Sequence, residues 1–280
     1  MAGNRQSRKK FENAKIHLDN LQGICWWCKS TADSLEHRHK KTDLNRFTRD
    51  GIQPEWVGNG KSEIIRGPNS KSEAVRFGRV LCQTCNNKRS QDFDKAYDKF
   101  SNALVESMDS WWHRDSVDLI HIYGTTWKQD SLNLARYYIK NFGCLMADLG
   151  ISPPQTMRDF LNGSEAMDNV ALLLVKSESH YLAHRYLLQT LGDNYSLFRT
   201  PSTVWTSSED KRVIGYTSSS LIGYVGVQIL WHPACNYPNF TTCSSSPPLH
   251  VLETTNKSRI LIAKAAVRSK FAKFSSFFSS

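Results

Sequence analysis

Cys25-Trp26-Trp27-Cys28 and Cys82-Gln83-Thr84-Cys85, with residues 29–81 between them, are the stretches on which the fold turns. Each Cys-x-x-Cys knuckle lets two thiolates reach one Zn²⁺, and two knuckles complete a tetrahedron of sulfur ligands. Four thiolates leave no open coordination position, so such a zinc is structural. Closing a long loop around it removes much entropy from the unfolded chain. The competing reading, a redox Cys-x-x-Cys beside an unrelated pair, expects a helix start after a buried strand, and Cys25 lacks that setting. His232, Cys235, Cys243 and His250 offer ligand types for a second zinc at irregular spacing, and Cys144 reads as a core thiol.

Eight residues beyond Cys28 stands Glu36-His37-Arg38-His39-Lys40-Lys41, and directly after Cys85 stands Asn86-Asn87-Lys88-Arg89-Ser90-Gln91. A shared metal brings the two stretches together. The Glu36 carboxylate can bind a hard divalent cation through oxygen, and the Asn86 carbonyl adds a second oxygen ligand. The His37 imidazole can take a proton from water near neutral pH. Mg²⁺ keeps several waters and favours few protein ligands plus phosphate oxygens, so two protein ligands suffice. The competing reading makes Glu36 and His37 solvated surface residues of a zinc module that binds nucleic acid without cutting it. His39, two residues beyond His37, reads as a surface histidine.

Cys-x-x-Cys, then Glu-His, then Cys-x-x-Cys-Asn resembles the zinc-stapled branch of the HNH endonucleases, whose core is a ββα-metal finger. The string Leu81-Cys-Gln-Thr-Cys-Asn-Asn-Lys-Arg-Ser-Gln-Asp-Phe-Asp94, continuing through Ala96-Tyr97-Asp98, is similar to bacterial and phage members. The resemblance covers about residues 20–112. It implies a phosphodiester hydrolase with Glu36 and Asn86 holding a catalytic Mg²⁺ or Mn²⁺, His37 as general base, and 5′-phosphate and 3′-hydroxyl products. Asn87 is the alternative ligand should the register shift by one. Many members carry a middle asparagine about five residues before the second cysteine pair, where it orients the histidine loop. Here that place holds Phe77, with Arg76 beside it, and Asn69 is the candidate substitute.

Outward from the motif, 36 Lys+Arg against 26 Asp+Glu give a formal net charge of +10. The excess lies in the first hundred residues and the last thirty, while the middle is acidic. A basic front half attracts polyanions because neutralised phosphates release counterions. Lys40, Lys41, Lys88 and Arg89 flank the motif and are expected to grip phosphates rather than choose bases. The expected partner is nucleic acid, double-stranded DNA first. The expected setting is cytoplasmic with no membrane contact, and a homodimer is compatible with it. No run approaches the ~18 apolar residues that span a bilayer, and Met1–Lys10 is polar and basic, unlike a secretory signal.

The expected fold class is α+β: a ββα-metal core with structural zinc, then a mixed α/β C-terminal domain. A basic helix takes 1–22, the nuclease domain 23–112, a C-terminal domain of unassigned role 113–258, and a basic tail 259–280. Residues 41–72, rich in Gly, Asn, Lys and Ser, read as a long excursion, and 74–81 as a strand or extended approach to the second knuckle. Phe93, Ala96, Tyr97, Phe100, Leu104, Met108 and Trp111 form one apolar stripe, which predicts a helix over 92–112. A second helix is predicted over 131–149, closing near Gly150 before Pro153-Pro154. Met157–Leu161 reads as a helical turn, 170–175 and 221–231 as buried strands, and the Ser/Thr/Pro-rich stretches around 200–220 and 241–248 as connectors.

Overall fold

The structure is a computed structural model that describes residues 13, 15–47, 55–58, 61–65, 69, 72–191, 196–199, 203–235, 249–250 and 252–254. The basic tail, Cys243 and most of the expected N-terminal helix lie outside those residues. Residues 15–40 are not helical, and His17 bridges to Arg212.

Six helices are described: α1 (Lys41–Phe47), α2 (Gln91–Glu106), α3 (Leu119–Tyr123), α4 (Trp127–Leu149), α5 (Gln155–Leu161) and α6 (Glu178–Leu191). Strands β1 (Glu55–Gly58) and β2 (Lys61–Ile64) form an antiparallel hairpin inside the excursion. The two-residue strands β3 (Ser116–Val117) and β9 (Leu249–His250) pair antiparallel. The main sheet holds β4 (Val170–Ser177), β5 (Leu197–Arg199), β6 (Thr203–Thr206), β7 (Val213–Ile222), β8 (Val225–Trp231) and β10 (Leu252–Thr254). Its order is β10-β4-β8-β7-β5, with β6 also on β7. All its pairings are antiparallel except β10 with β4. The chain is thus a mixed α/β protein with a largely antiparallel sheet.

Helix α4 is the axis of the fold. Every residue from Asn133 to Leu149 is buried, including Arg136, Lys140, Asn141 and Asp148. A helix covered all round must satisfy each polar group it carries. Arg136, for instance, donates Nε to the Phe160 carbonyl at 3.0 Å. On one side α4 packs along α2, with Tyr137 stacked on Tyr97 at 3.9 Å between centroids. On another, Phe142 meets Tyr216 of β7 at 5.3 Å. The first knuckle closes a third side: Trp26 lies over Gly143, where any Cβ would overlap the indole. The helix ends as predicted, with Gly150 in the left-handed region at φ 84°. One hydrophobic core runs from Leu21 to Ile229 through all three contacts.

Two sequence readings change. The stretch 221–231 is not one strand: β7 ends at Ile222, the chain turns at Gly223-Tyr224, and β8 begins at Val225. The Ser-rich run before it is the body of β7, with Ser218 and Ser219 buried. Its pairing with β6 and β8, and burial on both faces, decide the strand, where serine composition had suggested a connector.

Candidate metal centre

The four knuckle sulfurs converge. The ligand atoms of Cys25, Cys28, Cys82 and Cys85 all lie within 4.8 Å of one another. Cys28 Sγ and Cys82 Sγ are 3.6 Å apart. A tetrahedron with metal–sulfur legs of ~2.3 Å has edges of about 3.8 Å, so the cluster has the dimensions of a four-thiolate zinc site. Among the described residues it is the one cluster of three or more His, Cys, Asp or Glu with metal spacing. His232 instead caps its own loop, its Nδ1 accepting from the Ala234 amide at 3.1 Å.

Local structure explains the convergence. In the first knuckle Cys25 N donates to Ser30 O at 2.7 Å and Lys29 N to Cys25 O at 2.8 Å. That tight turn puts Lys29 at φ 68°. In the second, the Cys85 amide points at Cys82 Sγ at 3.4 Å. The Cys85 thiol holds Cys25 down to about 4, against the opposing effect of burial. Cys85 is pushed up by the same contact with Cys25, with burial adding to it. Sulfurs crowded this closely do not all ionise alone, and a cation among them satisfies all four.

Between the knuckles, two extended segments run antiparallel. Ser34 N donates to Leu81 O at 3.0 Å, Phe77 N to Glu36 O at 2.9 Å and Arg38 N to Val75 O at 2.8 Å. Ser34 opposes Leu81 and His37 opposes Arg76, a slip in register that breaks the ladder into isolated bridges. The chain then enters a π-helical turn, Thr84–Arg89, that carries Asn86 and leads into α2. Such turns are rare, occur mostly as single-turn bulges within α-helices, and are frequent at functional sites.

Glu36 sits at the rim, its Oε1 3.0 Å from Lys140 Nζ of α4. Lys140 also reaches Ser90 Oγ at 3.3 Å and Asp94 Oδ1 at 3.4 Å. Ser90 Oγ in turn donates to the Asn86 carbonyl at 2.6 Å. One network thus ties the Glu36 segment to the turn bearing Asn86. Asn86 donates Nδ2 to Ser34 Oγ at 2.8 Å, while its buried Oδ1 accepts no hydrogen bond among the described residues. His37 is half-buried, and its carbonyl accepts from Asn141 Nδ2 at 3.2 Å.

Of the four expected phosphate contacts, Lys40 is held by Asp94 at 2.9 Å and Asp98 at 3.8 Å. Arg89 lies 4.3 Å over the Trp27 ring, donates to Asn162 Oδ1 at 2.6 Å and points at Cys85 Sγ at 3.6 Å. Lys41 and Lys88 are exposed, as are Asn87 and Asn69. His39, expected at the surface, is half-buried. Burial, then Arg199 and Arg38, push it down to about 3.

Four residues that sequence reasoning did not single out hold the motif: Lys140, Asn141 and Asp148 of α4, and Arg199 of β5. Arg38 pairs with Asp148 at 2.6 Å, and Arg199 NH2 donates to the Arg38 carbonyl at 2.7 Å. Asn141 Nδ2 also reaches that carbonyl, at 3.3 Å. For the three on α4 the one available signal was their placement as polar residues inside the apolar pattern of 131–149, and Arg199 carried none. No family model, curated protein or solved structure matches the chain.

Proposed function

We propose that the chain is a zinc-stapled, metal-dependent endonuclease of the HNH type acting on DNA. The observation that carries the reading is the order of parts around the cysteine cluster. An extended segment with Glu36-His37 pairs with a second extended segment, which leads through a π-turn bearing Asn86 into a helix. The order of parts follows that expected of the resembled family, with isolated bridges standing where its core has two strands, and the four cysteines are spaced to hold a metal such as zinc.

The donor set fits a hard cation as well. Asn86 Oδ1 is a buried carbonyl oxygen without a donor, a costly state that a cation relieves. Glu36 supplies a carboxylate whose second oxygen carries no hydrogen bond among the described residues. Mg²⁺ or Mn²⁺ held by Glu36 and Asn86 supplies positive charge against the scissile phosphate and the leaving oxygen. His37, neutral, accepts the proton of the attacking water. The Asn141 amide holds the His37 carbonyl, the orienting task that Phe77 cannot perform. Exposed Lys41 and Lys88 face solvent, where they can meet the phosphate backbone.

The second reading, a zinc module that binds nucleic acid without cutting it, is favoured by the ion pair of Glu36 with Lys140. A plasmid-nicking assay separates the two. Wild type is expected to nick only with Mg²⁺ or Mn²⁺, and His37→Ala to lose roughly 10²–10⁴-fold, the usual contribution of a general base. No nicking by wild type with metal leaves the non-catalytic reading standing, whereas equal nicking by His37→Ala removes His37 as the general base. Elemental analysis is expected to find one zinc per chain in both proteins.

A further inference from the structure

The residue that meets Glu36 is itself a cation, and it is built in. Lys140 is 1% exposed on its side chain, and its ammonium is shared by Glu36 Oε1 and Asp94 Oδ1. Lys40 approaches the same Asp94 oxygen at 2.9 Å. Lys40 also meets Asp98 at 3.8 Å, so three carboxylates share two ammoniums and most of their charge is offset before any metal arrives.

Resting on the metal-dependent reading above, we propose that Lys140 is an internal counter-cation that opposes the divalent ion at Glu36, so that metal is taken up together with the nucleic acid. A dication on the Glu36 carboxylate is repelled by the ammonium on the same group. With an effective dielectric of about 20, a charge that close changes affinity by tenfold or more. A phosphate of the bound strand restores the missing negative charge and reverses the balance. The arrangement leaves Lys140 as a positioning residue for Glu36: it fixes one carboxylate oxygen and leaves the other for the ion.

The test is Mn²⁺ binding, followed by the electron paramagnetic resonance of the free ion. It uses the full-length, zinc-loaded protein at one pH, in the His37→Ala background so that a DNA duplex stays intact. The expected result has three parts. Without duplex the Lys140-containing protein binds Mn²⁺ weakly, and duplex tightens binding tenfold or more. Lys140→Gln binds tenfold or more tightly without duplex, with a smaller further gain when duplex is added. Glu36→Gln removes the effect in both.

If duplex leaves Mn²⁺ affinity unchanged, or Lys140→Gln binds no more tightly while binding still depends on Glu36, the counter-cation role is overturned and the metal reading survives. If no Glu36-dependent Mn²⁺ binding occurs under any condition, the metal reading itself fails. Zinc content and thermal unfolding check that Lys140→Gln is folded. Lys140→Met serves if it is not, and Lys140→Arg, which keeps the charge, is expected to show no gain.

Discussion

At the scale of single residues, the motif segment is held by groups from far along the chain. Asn141 uses its whole amide: Nδ2 serves the carbonyls of His37 and Arg38, and Oδ1 accepts from Arg199 at 2.6 Å. Asn141→Ala removes the donor that fixes the His37 carbonyl. Loss of an outer group that orients a reacting one costs about 10–100-fold in activity. On the proposed nuclease reading, nicking at saturating DNA is expected to fall by that factor, with zinc content and DNA affinity unchanged. An unaltered nicking rate removes Asn141 from any positioning role. A second residue-scale consequence concerns acid. His180 accepts or donates at Ser177 Oγ, 2.7 Å away, and burial pushes it down to about 4. An unfolded histidine takes its proton near pH 6.5. Below that pH the unfolded chain binds a proton that the folded chain refuses, so protonation favours unfolding. The stabilisation is full above about pH 6.5 and is lost as pH falls towards 4, on the order of 3 kcal/mol. Urea midpoints between pH 7.5 and 4.5 are expected to drop for wild type and to drop less for His180→Gln. Parallel curves refute the assignment. His39, held down to about 3, acts in the same direction.

At the scale of elements, α4 explains both what could be read in advance and what could not. Its apolar repeat and the Gly150 stop were visible, as was the α2 stripe from Phe93 to Leu104, because a helix buried on one face writes a 3.6-residue period into the chain. The knuckles were visible because thiolate spacing is a local property. The excursion concealed α1 and a hairpin, since short elements held by tertiary contacts carry little local signal. In α1 that contact is Asp43, buried against Tyr97 and Ser101 at 2.6 Å each. Lys140, Asn141 and Asp148 gave no hint of their partners, because those partners lie 46 to 110 residues away and pairing across such distances leaves no trace in one sequence. Gly143 shows the conflict of local and distant demands directly. In a helix interior alanine is favoured over glycine by about 1 kcal/mol. Here a Cβ would overlap the Trp26 indole, whose Nε1 donates to Cys144 Sγ at 3.4 Å. Overpacking of a closed core costs roughly 1–3 kcal/mol. Gly143→Ala is therefore expected to destabilise, measured by urea unfolding. A gain in stability shows that Trp26 moves aside freely.

At the scale of the molecule, the question is whether the front hundred residues could work alone. The sequence alone allows an independent nuclease domain followed by a sensing domain that gates it. The core argues for one folding unit. Trp26 and Phe77 are 0% and 1% exposed, and Tyr97 is buried under Tyr137 and Tyr138 of α4. Ending the chain at residue 115 uncovers all three. It also removes Lys140 from Glu36 and Asp148 from Arg38, leaving side chains that had been nearly enclosed. Zinc can staple the knuckles, and its binding energy is folding energy in small modules. That energy does not replace an aromatic face, since each buried large side chain contributes about 1.5–3 kcal/mol. The truncated chain is expected to bind zinc yet remain protease-sensitive, without a cooperative thermal transition and without nicking. The full chain is expected to melt as one transition. A 1–115 fragment that melts cooperatively and nicks DNA as the full chain does would show that α4 and the sheet are an attachment, and that the contacts to Glu36, His37 and Arg38 are dispensable to the site.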